Sequence, residues 1–379
     1  MRKKILLVAV ILLAAVLLSG CTGSTTWFGL SASGGVAYIA NNTAVHAIDI
    51  KTGKEIWSFS GEKSTGFSFG RSPKLFDLNP LVTEDGLVII ASSGNDHTLY
   101  AVNPKDIPDP SKPTPNISWK FADAKGHWIA LPLIIDDRLF APNADGKIYV
   151  LNLTDGQSIK KAVKIIEPFK DTQGQPGRLW AQPVTDGKFL YVTSLDRSVF
   201  AIDLQTYEIV WHEDLAGAIP GGAVFGSDGM LYVGSFDKQL EKFDPATGKH
   251  TPVVDTKGWI WGTPVADGDN IYFGDANGYF YSYSVTAGKL NWEPIKLDES
   301  ITASPLVLAD RVLVVAESGK AYSIDAAGSK TLWFEPAKGK AYTAPVSSDD
   351  TVLVSYIESD YYLIALDNDG HQKWVFPSK

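Results

Sequence analysis

Short apolar stretches with strand-like alternation return along the whole chain, separated by polar turns. In the last copy we expect strands over 341–346, 352–357, 361–366 and 372–376. Aspartate, asparagine, serine and glycine fill the intervals, and these residues favour tight reversals. Alternation with many β-branched and aromatic residues is typical of strands. Each copy therefore predicts a small four-stranded sheet.

Most of the copies end with a sequence motif whose last residue is tryptophan. One example runs from position 47 to 57 and reads Ala-Ile-Asp-Ile-Lys-Thr-Gly-Lys-Glu-Ile-Trp. Its glycine suits the positive φ of a hairpin turn, and its aspartate can accept hydrogen bonds from turn amides. Units of this kind bury their apolar faces by stacking on their neighbours. We expect the tryptophans of six units to pack between adjacent units: Trp57, Trp119, Trp211, Trp292, Trp333 and Trp374.

Eight such units fit into the chain at a spacing of about 45 residues, which is the length of a four-stranded propeller blade. The sequence therefore predicts an all-β fold, an eight-bladed β-propeller of four-stranded antiparallel blades, over residues 27–379. Units three and five lack the tryptophan, so we expect weaker contacts after those two blades.

The first 20 residues have the pattern of a secretory signal peptide. Three basic residues precede an apolar stretch over 5–18, which is too short for a typical membrane span. Leu-Ser-Gly then leads to Cys21. This sequence resembles the lipobox of bacterial lipoproteins, which implies cleavage before Cys21 and attachment of acyl chains such as palmitate to it. We expect a signal peptide at 1–20, a lipidated linker at 21–26 and the propeller from 27 onward.

Charge and cysteine content exclude several classes of function. The full chain carries a net charge of −9, and removal of the signal peptide makes the remainder more acidic. An acidic surface disfavours binding to nucleic acid. Cys21 is the only cysteine, so no disulfide can form within one chain and thiolate catalysis is excluded once it is acylated. The six histidines show no metal-ligand spacing.

The repeated Ala-x-Asp-x-x-Thr-Gly-Lys-x-x-Trp phrase resembles the tryptophan-docking repeat of PQQ-type β-propellers. The resemblance covers residues 27–378 and has two branches. One contains dehydrogenases that depend on pyrroloquinoline quinone (PQQ) and calcium. The other is the BamB family, eight-bladed lipoproteins of outer-membrane protein assembly that have no cofactor. The Cys21 lipobox favours the second branch.

The dehydrogenase alternative would require calcium ligands, and three aspartate pairs could supply carboxylates. These are Asp136 with Asp137, Asp267 with Asp269, and Asp349 with Asp350. Each pair stands where a turn between the first two strands of a blade is expected, and solvated turns commonly contain aspartate. We therefore expect no metal and no cofactor.

Two kinds of segment are candidates for binding a partner. The first is a set of aromatics just before the proline that opens an inner strand, which either form a binding rim at the channel or pack against the next blade. The second is the long insertions over 60–78 and 166–179, which should emerge on one face. A proline-rich insertion over 103–116 should lie on the other face as a binding segment or a rigid spacer. The candidate contact residues are Trp128, Trp180, Trp261, Tyr342, Phe67, Phe69, Arg71 and Arg178.

These observations predict a non-enzymatic scaffold that binds other envelope proteins. We expect a monomer held at a membrane through lipidated Cys21, outside the cytoplasm, at the outer membrane or the outer face of the cell membrane. A PQQ-dependent dehydrogenase and a propeller that binds a small ligand in its channel remain the alternatives.

Overall fold

The computed structural model of the chain describes residues 27–62, 75–164 and 179–377. In these ranges the chain forms 33 strands arranged in eight antiparallel sheets, each built from one contiguous stretch of sequence. The predicted eight-bladed β-propeller is confirmed. None of the described residues belongs to a helix long and apolar enough to cross a membrane.

The first four blades follow one another in chain order. Their strands are β1 (Gly29–Ser33), β2 (Val36–Ala40), β3 (Val45–Asp49) and β4 (Glu55–Phe59) in blade one; β5 (Leu81–Val82), β6 (Val88–Ala91), β7 (Leu99–Asn103) and β8 (Asn116–Phe121) in blade two; β9 (Leu133–Ile135), β10 (Arg138–Asn143), β11 (Lys147–Asn152) and β12 (Ser158–Lys164) in blade three; β13 (Val184–Thr185), β14 (Phe189–Thr193), β15 (Ser198–Asp203) and β16 (Ile209–Asp214) in blade four.

The last four blades repeat this order, except that the outer edge of blade six is split into two short strands that both pair with β23. Their strands are β17 (Ala223–Phe225), β18 (Leu231–Gly234), β19 (Gln239–Phe243) and β20 (His250–Asp255) in blade five; β21 (Val265–Asp267), β22 (Asn270–Gly274), β23 (Tyr279–Ser284), β24 (Lys289–Leu290) and β25 (Ile295–Lys296) in blade six; β26 (Leu306–Val307), β27 (Arg311–Val315), β28 (Ala321–Asp325) and β29 (Lys330–Phe334) in blade seven; β30 (Val346–Ser348), β31 (Thr351–Ser355), β32 (Leu363–Leu366) and β33 (Gln372–Phe376) in blade eight.

The inner strand of blade eight differs from the expectation. We expected a strand over 341–346, but β30 begins at Val346. Residues 342–344 line the central channel instead, and the next residue, Pro345, has no N–H to donate to a ladder. The fourth strand of that blade, β33, has the expected bounds.

Apolar side chains fill the spaces between neighbouring blades. In one such cluster Tyr38 and Trp57 of blade one pack with Val88 and Tyr100 of blade two. Every blade is a small sheet with apolar side chains on both faces, so a single blade cannot bury them alone. The ring arrangement gives each face a partner.

A tryptophan in the fourth strand of one blade lies on the glycine of the turn before the fourth strand of the next blade. Trp119 of blade two donates its indole N–H to the Leu153 carbonyl at 2.8 Å, and its ring lies within 2.5 Å of where a Gly156 Cβ would be. Only glycine leaves room for the ring there. The other pairs of this kind are Trp211 on Gly248, Trp292 on Gly328, Trp333 on Gly370 and Trp374 on Gly53.

Trp57 is covered in a different way. The turn of blade two that would receive it is replaced by the proline-rich insertion over 103–116. The Ser58 amide donates to the Pro113 carbonyl at 3.0 Å, and Ile107 packs against the cluster that contains Trp57. Trp57 is 1% exposed. The insertion therefore covers the first tryptophan as part of the core.

Blades three and five have no tryptophan in the fourth strand, so no indole packs on the turn of blade four or blade six. In blade four the turn position is held by Tyr207, at a φ of 60°. The Arg138 guanidinium of blade three donates to the Tyr207 hydroxyl and to the Leu204 carbonyl, both at 3.2 Å. In blade six the position is Gly288, where the nearest atom to an added Cβ is the Tyr283 hydroxyl at 4.0 Å.

The ring is closed by the same contact that joins other blades. Trp374 of blade eight donates its indole N–H to the Ile50 carbonyl of blade one at 2.8 Å. The Thr343 hydroxyl also donates to the Phe28 carbonyl at 2.5 Å. Each blade takes its strands from its own stretch of chain, so closure involves no exchanged strand.

Antiparallel order divides the loops between two faces. The turns between second and third strands and the connections from one blade to the next share one face, which we call the connection face. The turns between first and second strands and between third and fourth strands share the opposite face. Asp49 on the opposite face accepts hydrogen bonds from the Thr52 amide and hydroxyl at 2.8 Å, as the repeat predicted.

Replacing Gly248 by alanine should destabilise the protein more than replacing Gly288. Both glycines have positive φ, 75° and 64°, which costs an alanine about 1–2 kcal/mol. At Gly248 the new Cβ would also lie 2.8 Å from Trp211 ring atoms, so the total loss should be about 2–5 kcal/mol. Equal losses of unfolding free energy, measured by denaturant titration, would contradict the role assigned to the tryptophan contact.

Candidate functional site

A cavity of about 1080 Å³ occupies the centre of the ring. It is lined by the residues that precede the inner strands and by the first residues of those strands, including Ile129, Trp180 and Val184. Its lining is mostly apolar, with the polar side chains of Asn79, Gln182 and several hydroxyl residues placed between. Cavities of this size and character commonly bind ligands or partner segments.

Four aromatic rings meet at the mouth of the cavity on the connection face. The Trp27 ring lies 5.6 Å from that of Trp180, 6.3 Å from that of Tyr342 and 6.4 Å from that of Trp261, measured between ring centroids. These are ordinary distances for aromatic contacts, which contribute about 0.5–1.5 kcal/mol each beyond the burial of area. Three rim residues expected from the sequence are thus brought together by a fourth, Trp27.

Trp27 lies across the axis of the ring. Trp180 precedes blade four and Tyr342 precedes blade eight, and these blades stand opposite each other in an eight-bladed ring. A side chain that contacts both must reach over the channel. The chain therefore enters the propeller at the centre of the connection face rather than at its edge.

The polar groups at the mouth are acidic. The Tyr342 hydroxyl donates to Glu317 Oε1 at 2.5 Å, and burial together with this carboxylate raises the pKa of Tyr342 above its usual value. Burial also raises the pKa of Asp77, which lines the same cavity. The described residues around the cavity include no lysine, arginine or histidine. The mouth therefore suits neutral or cationic groups better than anions.

The aromatic rings continue from the mouth toward solvent on the same face. Phe236, in the turn between β18 and β19, lies 5.1 Å from Trp261 and is stacked at 5.1 Å on Trp259. Trp259 is 49% exposed, which is unusual for so large an apolar side chain. We call the set Trp27, Trp180, Trp261, Tyr342, Phe236 and Trp259 the aromatic surface.

Trp128 does not belong to this surface, contrary to the grouping made from the sequence. It is fully buried, with its ring 5.7 Å from that of Tyr149 and its indole N–H donating to the His97 carbonyl at 2.8 Å. The neighbouring residue Ile129 lines the cavity instead. Trp128 packs between blades two and three and offers no surface to a partner.

The remaining sequence candidates lie outside the described residues. These are Phe67, Phe69, Arg71 and Arg178 of the long connections, together with Cys21. Three members of the aromatic surface were absent from the sequence candidates. Trp27 stands before the first repeat. Trp259 and Phe236 stand at repeated positions that other copies fill with non-aromatic residues such as Ala218 and Ala276, so no recurring aromatic marks them in the sequence.

The cavity does not fit the cofactor of the dehydrogenase alternative. PQQ is a tricarboxylate, and no cationic side chain of the described residues lines the cavity. Calcium requires about six to eight oxygen ligands, whereas the lining offers two carboxylates, Asp77 before blade two and Glu317 in blade seven. The donor set therefore matches neither the quinone nor its metal.

The aspartate pairs lie on the opposite face, in turns between first and second strands. Asp269 accepts from the hydroxyls of Ser284 and Thr286, and Asp350 pairs with Lys373 at 3.0 Å. The remaining group of possible ligands in the described ranges is at an exposed turn of blade eight, where carboxylate oxygens already accept backbone N–H groups. It consists of Asp367, Asp369 and His371.

The family model described as "Outer membrane protein assembly factor BamB" matches residues 21–251, 195–309, 253–327 and 293–379. The chain belongs to the BamB family. Together these matches run from Cys21 to the last residue, so family membership rests on the whole ring and not on one blade.

Individual relatives are distant. The outer membrane protein assembly factor BamB of Moranella endobia (strain PCIT) is 23% identical over 312 residues, covering 78% of this chain and 71% of the relative. That of Yersinia pestis is 20% identical over 332 residues, which cover 74% of this chain and 79% of the relative.

Solved structures share the fold. BamB from Moraxella catarrhalis superposes with a TM-score of 0.67 at 15% identity, covering 89% of this chain and 94% of the other. The computationally designed Ika8 protein superposes with a TM-score of 0.70 at 14% identity, covering 91% of this chain and 98% of the designed protein.

The contact between Trp27 and Trp180 should be measurable as a coupling energy. In a double-mutant cycle with Trp27→Ala and Trp180→Ala, the unfolding free energies should deviate from additivity by about 0.5–1.5 kcal/mol. The control cycle pairs Trp27→Ala with Trp211→Ala, which lies at the outer edge of blade four and shares no contact with Trp27. That cycle should be additive within about 0.5 kcal/mol. If both cycles were additive, the assigned contact between the Trp27 and Trp180 rings would be wrong.

Proposed function

We propose that this protein is a binding scaffold for the assembly of outer-membrane proteins, anchored in the cell envelope through lipidated Cys21. It acts by presenting its connection face to partner proteins and performs no chemical reaction. Family membership supports the setting, because the two relatives named above are described as outer membrane protein assembly factors.

The observation that carries the proposal is the aromatic surface. It runs from Trp259, which is half exposed, through Phe236 and Trp261 to the channel mouth. Tryptophan, tyrosine and phenylalanine are enriched at protein interfaces, where a few such residues provide most of the binding energy. An exposed indole stacked on a second ring is held in position before binding, which lowers the entropy lost on association.

The cavity supports binding over catalysis. Two carboxylates line it. Glu317 accepts a hydrogen bond from the Tyr342 hydroxyl, and burial raises the pKa of Asp77. Asp77 hydrogen-bonds the Ser93 side chain and lies near His127, but His127 Nδ1 contacts the Ser93 main-chain carbonyl oxygen at 2.7 Å and not its hydroxyl. The serine hydroxyl is therefore not paired with the imidazole as a nucleophile with its base would be. The mouth is also occupied by Trp27, whose three ring contacts would have to break before a substrate could enter from the connection face.

Site-specific photo-crosslinking in cells tests the partner-binding face. A photoreactive residue at position 259 should trap outer-membrane or assembly proteins, identified by mass spectrometry. The matched control is position 210, because Val210 is 48% exposed, close to the 49% of Trp259, but lies on the outer strand β16. Equal crosslinking at both positions, or none at 259, would contradict the assignment.

Once a partner is trapped, truncation of Trp259 should weaken its binding. Loss of an interface tryptophan commonly costs 2 kcal/mol or more, so the dissociation constant for Trp259→Ala should rise by roughly thirtyfold. Val210→Ala should leave it unchanged. Titration of the purified partner against both variants gives the comparison.

Mass spectrometry of the mature protein tests the anchor. The N-terminal peptide should begin at Cys21 and carry diacylglyceryl and acyl groups, and Cys21→Ser should abolish both the modification and membrane attachment. Several acyl chains give stable anchoring, whereas one gives only marginal binding. A mature chain that begins elsewhere or lacks acyl groups would contradict the anchored part of the proposal.

A further inference from the structure

One position of the repeat contributes to the cavity wall in six of the eight blades. It is the third residue before the proline that opens an inner strand, and we call it the rim position. Before the even-numbered blades two, four, six and eight, the rim position is Asp77, Trp180, Trp261 and Tyr342. Alternate blades stand about a quarter turn apart in an eight-bladed ring. Three aromatic rings and one carboxylate therefore surround the axis.

The carboxylate of this group has an unused hydrogen-bond acceptor. Ser93 hydrogen-bonds Asp77, yet the Oδ1 atom of Asp77 is buried and has no partner in residues 27–62, 75–164 and 179–377. The same holds for Oγ1 of Thr302, which is the rim position of blade seven. A buried polar atom without a partner is costly, and a bound molecule or water commonly satisfies it. The cavity wall thus offers two acceptors to a ligand.

The charges nearest to the cavity are negative. The Tyr342 hydroxyl donates to Glu317. The pKa of Tyr342 is raised first by burial and then by the carboxylates of Glu317, Glu358 and Glu299. Asp77 adds a further carboxylate on the wall. A bound cation would be stabilised by this concentration of negative charge.

The basic residues of this face lie outside the cavity lining. His127 is near Asp77, but it is exposed, and its Nδ1 atom contacts a main-chain carbonyl oxygen. Lys238 and Lys257 are exposed and stand two residues from Phe236 and Trp259 in the sequence. None of these three basic side chains lines the cavity. They therefore leave the cavity side of Asp77 to a ligand.

We propose that the cavity binds a small organic cation, a primary ammonium on an apolar body, whose ammonium group faces Asp77 and the three aromatic rings of the rim position. The faces of tryptophan and tyrosine attract cations, and an ammonium N–H supplies the donor that Asp77 Oδ1 lacks. The apolar body lies deeper, against inner-strand residues such as Leu133 and Val184. The cavity volume of about 1080 Å³ accommodates a small molecule.

Trp27 separates this site from the proposed partner-binding surface. Its ring contacts all three aromatic rings of the rim position and covers them from the connection face. A small molecule can be enclosed beneath Trp27 once it has entered, whereas a side chain of a docked protein would keep Trp27 displaced. The site therefore depends neither on a partner protein nor on the lipid anchor.

Isothermal titration with three probes of similar shape tests the preference for a cation. Phenethylamine, phenethyl alcohol and phenylacetate share an aromatic body and end in a cationic, neutral or anionic group. With the full-length protein in detergent, and titration into detergent alone subtracted, the amine should bind at least about tenfold more tightly than the alcohol. Phenylacetate should not bind. Equal affinities of amine and alcohol would overturn the proposal. No binding of the amine at millimolar concentration would also overturn it, because water alone would then satisfy Asp77.

Substitution of Asp77 tests the assigned contact. Asp77→Asn keeps the shape of the side chain and removes its charge, so it should weaken the amine about tenfold and leave the alcohol unchanged. Glu358→Gln removes the same charge from an exposed position on the same face, outside the cavity lining. It should change the affinity little, because salt screens exposed charges. Equal weakening by both substitutions would mean that the overall acidity of the face, and not Asp77, attracts the amine, and the assigned site would be wrong.

Filling the cavity tests the location of the ligand. Ala344 lines the cavity, so Ala344→Trp should weaken the amine and the alcohol alike. Ala287→Trp adds the same ring at an exposed turn of blade six and should affect neither probe. Denaturant titration of each variant shows whether the ring of blades is intact. If an intact Ala344→Trp protein bound the amine with unchanged affinity, the ligand would lie outside the cavity and the proposal would fail.

Discussion

The contact between a tryptophan and the turn glycine of the next blade is the constraint on which the ring depends. At five of the eight interfaces an indole lies where the Cβ of a turn residue would otherwise be, as Trp119 does with Gly156 while it donates to the Leu153 carbonyl. The two residues are therefore coupled across an interface rather than within a blade. Where blade three has no tryptophan, the turn of blade four can carry Tyr207 at the same position. In blade six, however, Gly288 is kept where no indole packs. The turn glycine therefore meets two separate requirements, a positive φ and, where an indole is present, room for its ring.

Ring closure follows from the same contact, and it places the N-terminus. Because Trp374 meets Gly53 as other tryptophans meet their glycines, blade eight needs no strand from the start of the chain. The N-terminal residues are therefore free to leave β1 toward the axis. Trp27 takes that path and lies between Trp180 and Tyr342. The packing between blades therefore leaves Trp27, the first described residue, at the channel mouth.

The repeat made the fold predictable, and the limits of the repeat explain what was missed. Periodicity predicts the number of blades, the order of the strands and the role of the turn aspartates, because each copy of the repeat supports the interpretation of the others. Trp128 was misplaced by one position: it stands four residues before its proline, and neighbouring residues in extended chain point to opposite sides, so Ile129 faces the channel. Trp27 precedes the repeats, and Trp259 stands at a repeated position that other copies fill with residues such as His127 and Ala218. Their placement depends on tertiary contacts that one sequence does not contain.

Fold similarity alone does not determine function here. The designed Ika8 protein and the Moraxella catarrhalis BamB superpose on this chain almost equally well, with TM-scores of 0.70 and 0.67, although a designed ring and an assembly factor have different origins. The functional argument must therefore come from the side chains that the ring presents. The mouth is acidic and aromatic, and its described lining has no cationic side chain, so it does not suit a quinone tricarboxylate. Trp259 is 49% exposed although it is large and apolar, and it is stacked on Phe236. Both features fit the proposed partner-binding face, because such a face needs rigid aromatic area and no reactive groups.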